Sequence, residues 1–219
     1  MPELRAEQPV QSGFSVVDLG VHTLRHVHLT LESGQCVGLT GASGSGKSLF
    51  LRALADLDPH AGGMFLDGVA ADQIPAPQWR RQVGLLPAES AWWHDAVGPH
   101  FERVPQPWLG ELGFDAGVMD WQVSRLSSGE RQRLALLRLL IQEPRVLLLD
   151  EPTANLDRRN TRRVESLLSS YRRQRAVMMI WVSHDPEQLQ RNCAPIYTIS
   201  GNGLEPFRGR VRPDSEEAP

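Results

Sequence analysis

The sequence predicts an α/β protein with a mainly parallel sheet, an antiparallel β flank and a small inserted helical lobe. Two observations carry that expectation. Four short apolar runs, at residues 36–40, 83–86, 146–149 and 176–182, read as strands buried on both faces, and the stretches between them have helical spacing. The first run enters Gly41-Ala-Ser-Gly-Ser-Gly-Lys-Ser48, a loop of the form G-x-x-x-x-G-K-S, and a helix over 48–57 leaves it before Pro59.

The remaining elements follow along the chain. Residues 14–31 alternate partly between apolar and polar, and 64–68 reads as a short strand closing at Asp67-Gly68, which together suggest the antiparallel flank. From 88 to 125 the pattern turns irregular and rich in proline, glycine and tryptophan, and helical spacing returns at 131–141. An inserted lobe over about 89–140 is expected there. Val164, Leu167, Leu168 and Tyr171 lie at i, i+3, i+4 and i+7, with seven arginines between 158 and 175 largely off that stripe. This is an amphipathic helix with a basic outer face. From Glu205 onward the chain is charged, aperiodic and holds three prolines, which favours a disordered end. The expected organisation is one domain over 14–205, with flexible ends at 1–13 and 206–219.

A chain of 219 residues can bury a sizeable core as one domain, and a net charge of −3 gives no general affinity for polyanions. The N-terminus lacks the apolar core of a secretory signal, and the longest apolar run is far short of a bilayer span, so a soluble, cytosolic chain is expected. Cys36 and Cys193 lack C-x-x-C spacing and adjoin strand candidates, which makes them buried free thiols.

Lys47 is the only lysine of the chain. A compact ammonium enters a narrow backbone cradle where a planar guanidinium would crowd. In such a loop the backbone N–H groups of Gly41, Ala42, Ser43, Gly44, Ser45 and Gly46 cradle phosphates, Lys47 reaches the terminal ones, and the Ser48 hydroxyl reaches Mg²⁺. The apolar run 146–149 ends in Asp150 and Glu151, at the strand edge where an α/β nucleotide site needs carboxylates. Asp150 can hold Mg²⁺, and Glu151 can orient and deprotonate the water that attacks a γ-phosphate. Ser127, the Gly129 N–H and the dipole of the helix that follows can bind an anion, and His184 can hydrogen-bond a γ-phosphate. The class is therefore a P-loop NTPase core that takes a nucleotide with Mg²⁺.

In order and spacing, segments 41–48, 126–130, 149–152 and 154–157 together with His184 resemble the ATP-binding cassette (ABC) family over residues 14–205. The resemblance implies a cassette that dimerises head to tail, as a homodimer or with a different cassette, around two ATP molecules. Each ATP lies between one chain's phosphate loop and the other's Ser127 and Gly129. It assigns Mg²⁺ to Ser48 and Asp150, the catalytic base to Glu151, γ-phosphate sensing to His184 and cross-dimer communication to Asp157. It also implies a transmembrane permease on a separate chain, received by the lobe with Trp92, Trp93 and Phe101 as contacts. The location implied is cytoplasmic, peripheral on the inner face of the cell membrane. Small subunits of the iron-export type are the nearest in appearance. The competing expectations are a soluble ABC ATPase acting on nucleic acid or the ribosome, and a non-hydrolysing regulatory cassette.

Three positions depart from the family pattern. Ser128 stands where the family has glycine, in a signature that ends in Glu130 rather than glutamine. The family's Mg²⁺-contacting glutamine falls on Ala88, with Glu89 one residue on, or a water, expected in its place as metal ligand. No aromatic occupies the expected adenine-stacking stretch 17–22, which leaves His22 or Phe14 as stand-ins.

Overall fold

A computed structural model describes residues 12–103 and 106–209. β1 (Phe14–Val21) and β2 (Leu24–Leu31) form an antiparallel hairpin, and β3 (Cys36–Thr40) then opens a second sheet and hands the chain to α1 (Lys47–Leu54). β4 (Ala61–Leu66) and the two-residue β5 (Val69–Ala70) return to the first sheet, whose order is β2-β1-β4-β5. α2 (Ala76–Gln82) leads into β6 (Val83–Leu86), after which the lobe holds the single turn α3 (Trp108–Glu111), several 3₁₀ turns and the long α4 (Ser128–Leu140). β7 (Val146–Asp150), α5 (Arg158–Arg175), β8 (Met178–Val182), α6 (Pro186–Asn192), β9 (Ile196–Ser200) and β10 (Gly203–Pro206) complete the chain. The second sheet runs β10-β9-β3-β8-β7-β6, parallel throughout except for β10 at its edge.

The apolar runs have no polar alternation because both faces of the parallel sheet are covered. Val146, Leu148, Met178, Ile180 and Val182 point into a core shared with α1 and the antiparallel sheet. Leu147, Leu149, Met179 and Trp181 point into the opposite core, filled by α4, α5 and the lobe. Val164, Leu167, Leu168 and Tyr171 are the buried stripe of α5, as their spacing requires.

Boundaries shift for local reasons. α4 begins at Ser128 because Ser127 caps it, its hydroxyl accepting from the Glu130 N–H while the Glu130 carboxylate reaches back to the Ser127 N–H. β8 begins only at Met178, since Ala176 takes φ 52° in leaving α5. The tail expected to lose order at Glu205 instead places Glu205 and Pro206 on β10, paired with Thr198 and Tyr197. Pro206 is tolerated because an edge strand can spare an N–H. Of the ends expected to be flexible, residues 1–11 and 210–219 lie outside the described residues.

Cys36 and Cys193 are buried thiols with Sγ atoms 3.1 Å apart, and the hydrogen bond with Cys36, together with burial, pushes the Cys193 thiol far up. Among the described residues no helix is long and apolar enough to cross a membrane.

Candidate functional site

The site grows from the C-terminal edge of the parallel sheet, where β3, β7 and β8 end side by side. β3 passes into the glycine loop at Gly41, whose φ is 148° and where a Cβ would meet the Ile199 carbonyl oxygen at 2.9 Å. Only glycine fits that passage. Gly44 (φ 77°) and Gly46 (φ 95°) complete the turn, and Gly46 caps α1 without any side-chain hydrogen bond. The first N–H groups of α1 are therefore free of a side-chain cap, which suits an anion. Ala42, Ser43, Gly44 and Ser48 are exposed or nearly so, whereas the Ser45 hydroxyl is buried without a hydrogen-bond partner.

Lys47 is 7% exposed, and its ammonium donates to the carbonyls of Gly41 and Ala42, 2.9 Å each. Burial lowers its pKa, opposed by the nearby carboxylates of Glu151 and Asp150. The lysine thus lies across its own loop, on the carboxylate side.

The β7–β8 ladder sets the acidic part. Asp150 pairs with Val182, and the Glu151 N–H donates to the Val182 carbonyl at 3.2 Å, which carries Glu151 alongside Ser183 and His184. His184 Nε2 lies 3.4 Å from Glu151 Oε1, within ion-pair range but not aligned as a hydrogen bond, since that oxygen is buried and lacks a partner. Burial raises the Glu151 pKa, and His184 opposes the rise. Glu151 also holds φ 48°, a left-handed backbone for a non-glycine residue. A carboxylate with raised proton affinity beside an imidazole can accept a proton from a water between them.

Lys47, Asp150, Glu151 and His184 are thus brought together. Ser127 and Gly129 stand apart from them: Ser127's hydrogen bonds go to Glu130 and Arg131, and Gly129 packs so closely on the segment after β7 that a Cβ would meet the Asn155 carbonyl at 2.9 Å. Asp157 caps α5, its carboxylate accepting from the Asn160 N–H at 2.7 Å. Glu89 is exposed, and among the described residues no three His, Cys, Asp or Glu side chains gather into a metal cluster. Phe14 cannot stack on a base, because it is fully buried against Trp79; His22 is exposed at the β1–β2 turn.

Sequence reasoning missed three buried polar side chains around this group. Gln132 accepts from Ser90 Oγ at 3.0 Å and donates to the Pro87 carbonyl at 3.1 Å, bracketing Ala88 and Glu89. Arg133 donates to the carbonyls of Gly129 and Leu112 and lies 4.5 Å over the Phe114 ring. Gln188 joins Thr153, Ser183 and Glu165. Nothing in a single sequence marks them, since a glutamine or arginine on a helix is usually solvated.

The residues fit a magnesium nucleotide: a loop that admits no Cβ at Gly41, an uncapped helix start, a lysine held by replaceable carbonyls, and Ser48 and Asp150 as oxygen donors. The family model described as ABC transporter matches residues 24–154. The chain belongs to the ABC transporter family. This cassette is 37% identical over 185 residues to protein STAR1 of Oryza sativa subsp. japonica, covering 78% of this chain and 54% of that protein, so it spans about half of that relative's length. It is 34% identical over 204 residues to the lipoprotein-releasing system ATP-binding protein LolD of Bordetella avium, covering 84% and 88% of the two chains. Among solved structures, CbiO1 of Clostridium perfringens, described as part of the ABC transporter complex CbiONQ, superposes with a TM-score of 0.73 at 21% identity, over 89% of this chain and 87% of that one. That likeness is one of fold.

Proposed function

We propose that this cassette binds and hydrolyses ATP, paired head to tail with a second cassette, and powers transport by a membrane-spanning protein on a separate chain. The observation that carries the reading is the meeting of Lys47, Asp150, Glu151 and His184 at the sheet edge below the glycine loop. Gly41 to Gly46 offer backbone N–H groups to the phosphates, and Lys47 exchanges its two loop carbonyls for phosphate oxygens. Ser48 and Asp150 would hold Mg²⁺, with Glu89 or a water as a further oxygen donor where no amide stands at 88. When bound, the ion neutralises charge on the terminal phosphates. Glu151 takes the proton of the attacking water, and His184 orients the pair. Ser127 and Gly129 serve the nucleotide of the second cassette, in a homodimer or with a different cassette.

The permease would dock where a cavity of about 260 Å³ opens between Leu57, Arg80, Pro87, Ser90 and Arg138. Arg138 continues that surface by stacking on Trp92 and Trp93, at 4.8 and 4.7 Å. Such docking puts the cassette on the cytoplasmic face of a membrane.

The test is Glu151→Gln. The variant should remain an ATP-bound dimer on size exclusion while the wild type turns ATP over and returns to monomer. Turnover of the wild type, with its membrane partner present, no greater than that of Glu151→Gln would defeat the hydrolase reading. Glu89→Ala should weaken the Mg²⁺ dependence; an unchanged dependence assigns the position to water.

A further inference from the structure

We propose that Gln188 is a positioning residue that holds Glu151 against His184, an inference that rests on the hydrolase reading above. Gln188 is 2% exposed although it sits on the short α6, where a glutamine would ordinarily be solvated. Its carbonyl oxygen accepts from Thr153 Oγ1 and from Ser183 Oγ, 3.0 Å each, and its amide donates to Glu165 Oε1 on α5 at 2.9 Å. Thr153 lies two residues after Glu151, and Ser183 directly precedes His184. One buried side chain therefore stitches together the two loops that carry the reacting groups.

The stitch is needed because the backbone ladder stops short of the site. The bond from the Glu151 N–H to the Val182 carbonyl is the last main-chain link between the two loops among the described residues. Past it, the His184 N–H faces the Glu151 carboxylate, and the side-chain hydrogen bonds that join the two loops run through Gln188. Glu151 also has φ 48°, a conformation that a residue with a Cβ keeps only where its surroundings over-determine it. The Thr153 anchor supplies that constraint, together with the bond from the Ala154 N–H to the Glu151 carbonyl. Gln188 is itself aimed by a fixed helix start, where the Asp185 carboxylate accepts from the N–H groups of Glu187 and Gln188. Behind it, Glu165 is held by Arg191 at 3.2 Å. An apolar side chain of equal size would fill the space but leave the Thr153 and Ser183 hydroxyls without their acceptor and Glu165 with Arg191 alone.

The experiment compares Gln188→Ala, Gln188→Glu and the swap Gln188→Glu/Glu165→Gln in the full chain. Gln188→Ala is expected to lower kcat about 10-fold while KM for ATP stays within about twofold, because the reacting groups and not the phosphate loop are displaced. Gln188→Glu places a second carboxylate against Glu165 and should lose kcat likewise. The swap restores an amide-to-carboxylate bond and both hydroxyl donations, and should return kcat to within about threefold of wild type. Alongside, the His184 imidazole resonance, assigned by its loss in His184→Ala, should move in Gln188→Ala. A folded Gln188→Ala with unchanged kcat, or a swap that fails to recover it, overturns the proposal. Should wild-type turnover not exceed that of Glu151→Gln, the hydrolase reading falls by itself. The resonance then decides: moved, Gln188 positions the pair; unmoved, it does not.

Discussion

Burial lifts the Glu151 carboxyl above its ordinary value near 4.5, so the folded chain favours the protonated form. A group whose pKa is raised on folding contributes its stability below the unfolded value and loses it as pH rises through the folded one. In nucleotide-free protein, Glu151→Gln should therefore melt with wild type at about pH 4 and above it at higher pH, with the gap opening upward from 4.5. Calorimetry across that range checks this, and a gap constant with pH would assign the gain to packing. Glu130 makes a second prediction. Its carboxylate receives the Ser127 hydroxyl at 2.8 Å and places a full negative charge at the helix start proposed to meet the second cassette's ATP. Glu130→Gln, built into Glu151→Gln, should lower the ATP concentration needed for dimerisation about fivefold, read by size exclusion. An unchanged requirement means that the charge is screened there. Lys47, Asp150, Glu151 and His184 were legible because their chemistry is local to a strand end or a loop. That Phe14 is a core residue and not a stacking one was not legible, because only the packing of Trp79 over it shows this.

Strands buried on both faces and the stripe of α5 are written in short-range periodicity, and the structure returns them nearly to the residue. The lobe is built otherwise: one turn of α-helix and several 3₁₀ turns have no period to detect, and their order comes from contacts with α4 and α5. Arg133 is the central such contact. Its guanidinium is buried, its pKa is lowered by that burial, and it reaches the Leu112 carbonyl while stacking on Phe114. Lysine keeps the charge but has neither the fork nor the flat face. Arg133→Lys should therefore destabilise the fold by about 2 kcal/mol in urea titration. Equal midpoints would show that the lobe is held by its apolar contacts alone. Gln132 ties the same helix to Pro87 and Ser90, so α4 links the signature segment to the loop holding Ala88 and Glu89.

At the scale of the whole molecule, two cores on opposite faces of one sheet leave the residues proposed to bind nucleotide at its edge, and the lobe carries an exposed aromatic surface. Trp93 is 64% exposed, yet it is not loose. The His100 ring lies 4.8 Å from it and accepts from the N–H groups of Trp93 and His94 through Nε2, while Nδ1 faces the Ala96 carbonyl. Burial lowers the His100 pKa, which favours the neutral imidazole that can accept. Arg138 lies over the Trp93 ring at 4.7 Å. A large apolar ring fixed in place without being covered is the kind of residue that anchors a protein interface, because little rotamer entropy remains to be lost on docking. Trp93→Ala removes exposed surface and should leave the melting temperature nearly unchanged. Recovery of a polytopic partner with the cassette from detergent-solubilised membranes should fall about 10-fold or more, as loss of an interface anchor dictates. Equal recovery would mean that the ring is held by the lobe for the lobe's sake, and that the permease docks elsewhere.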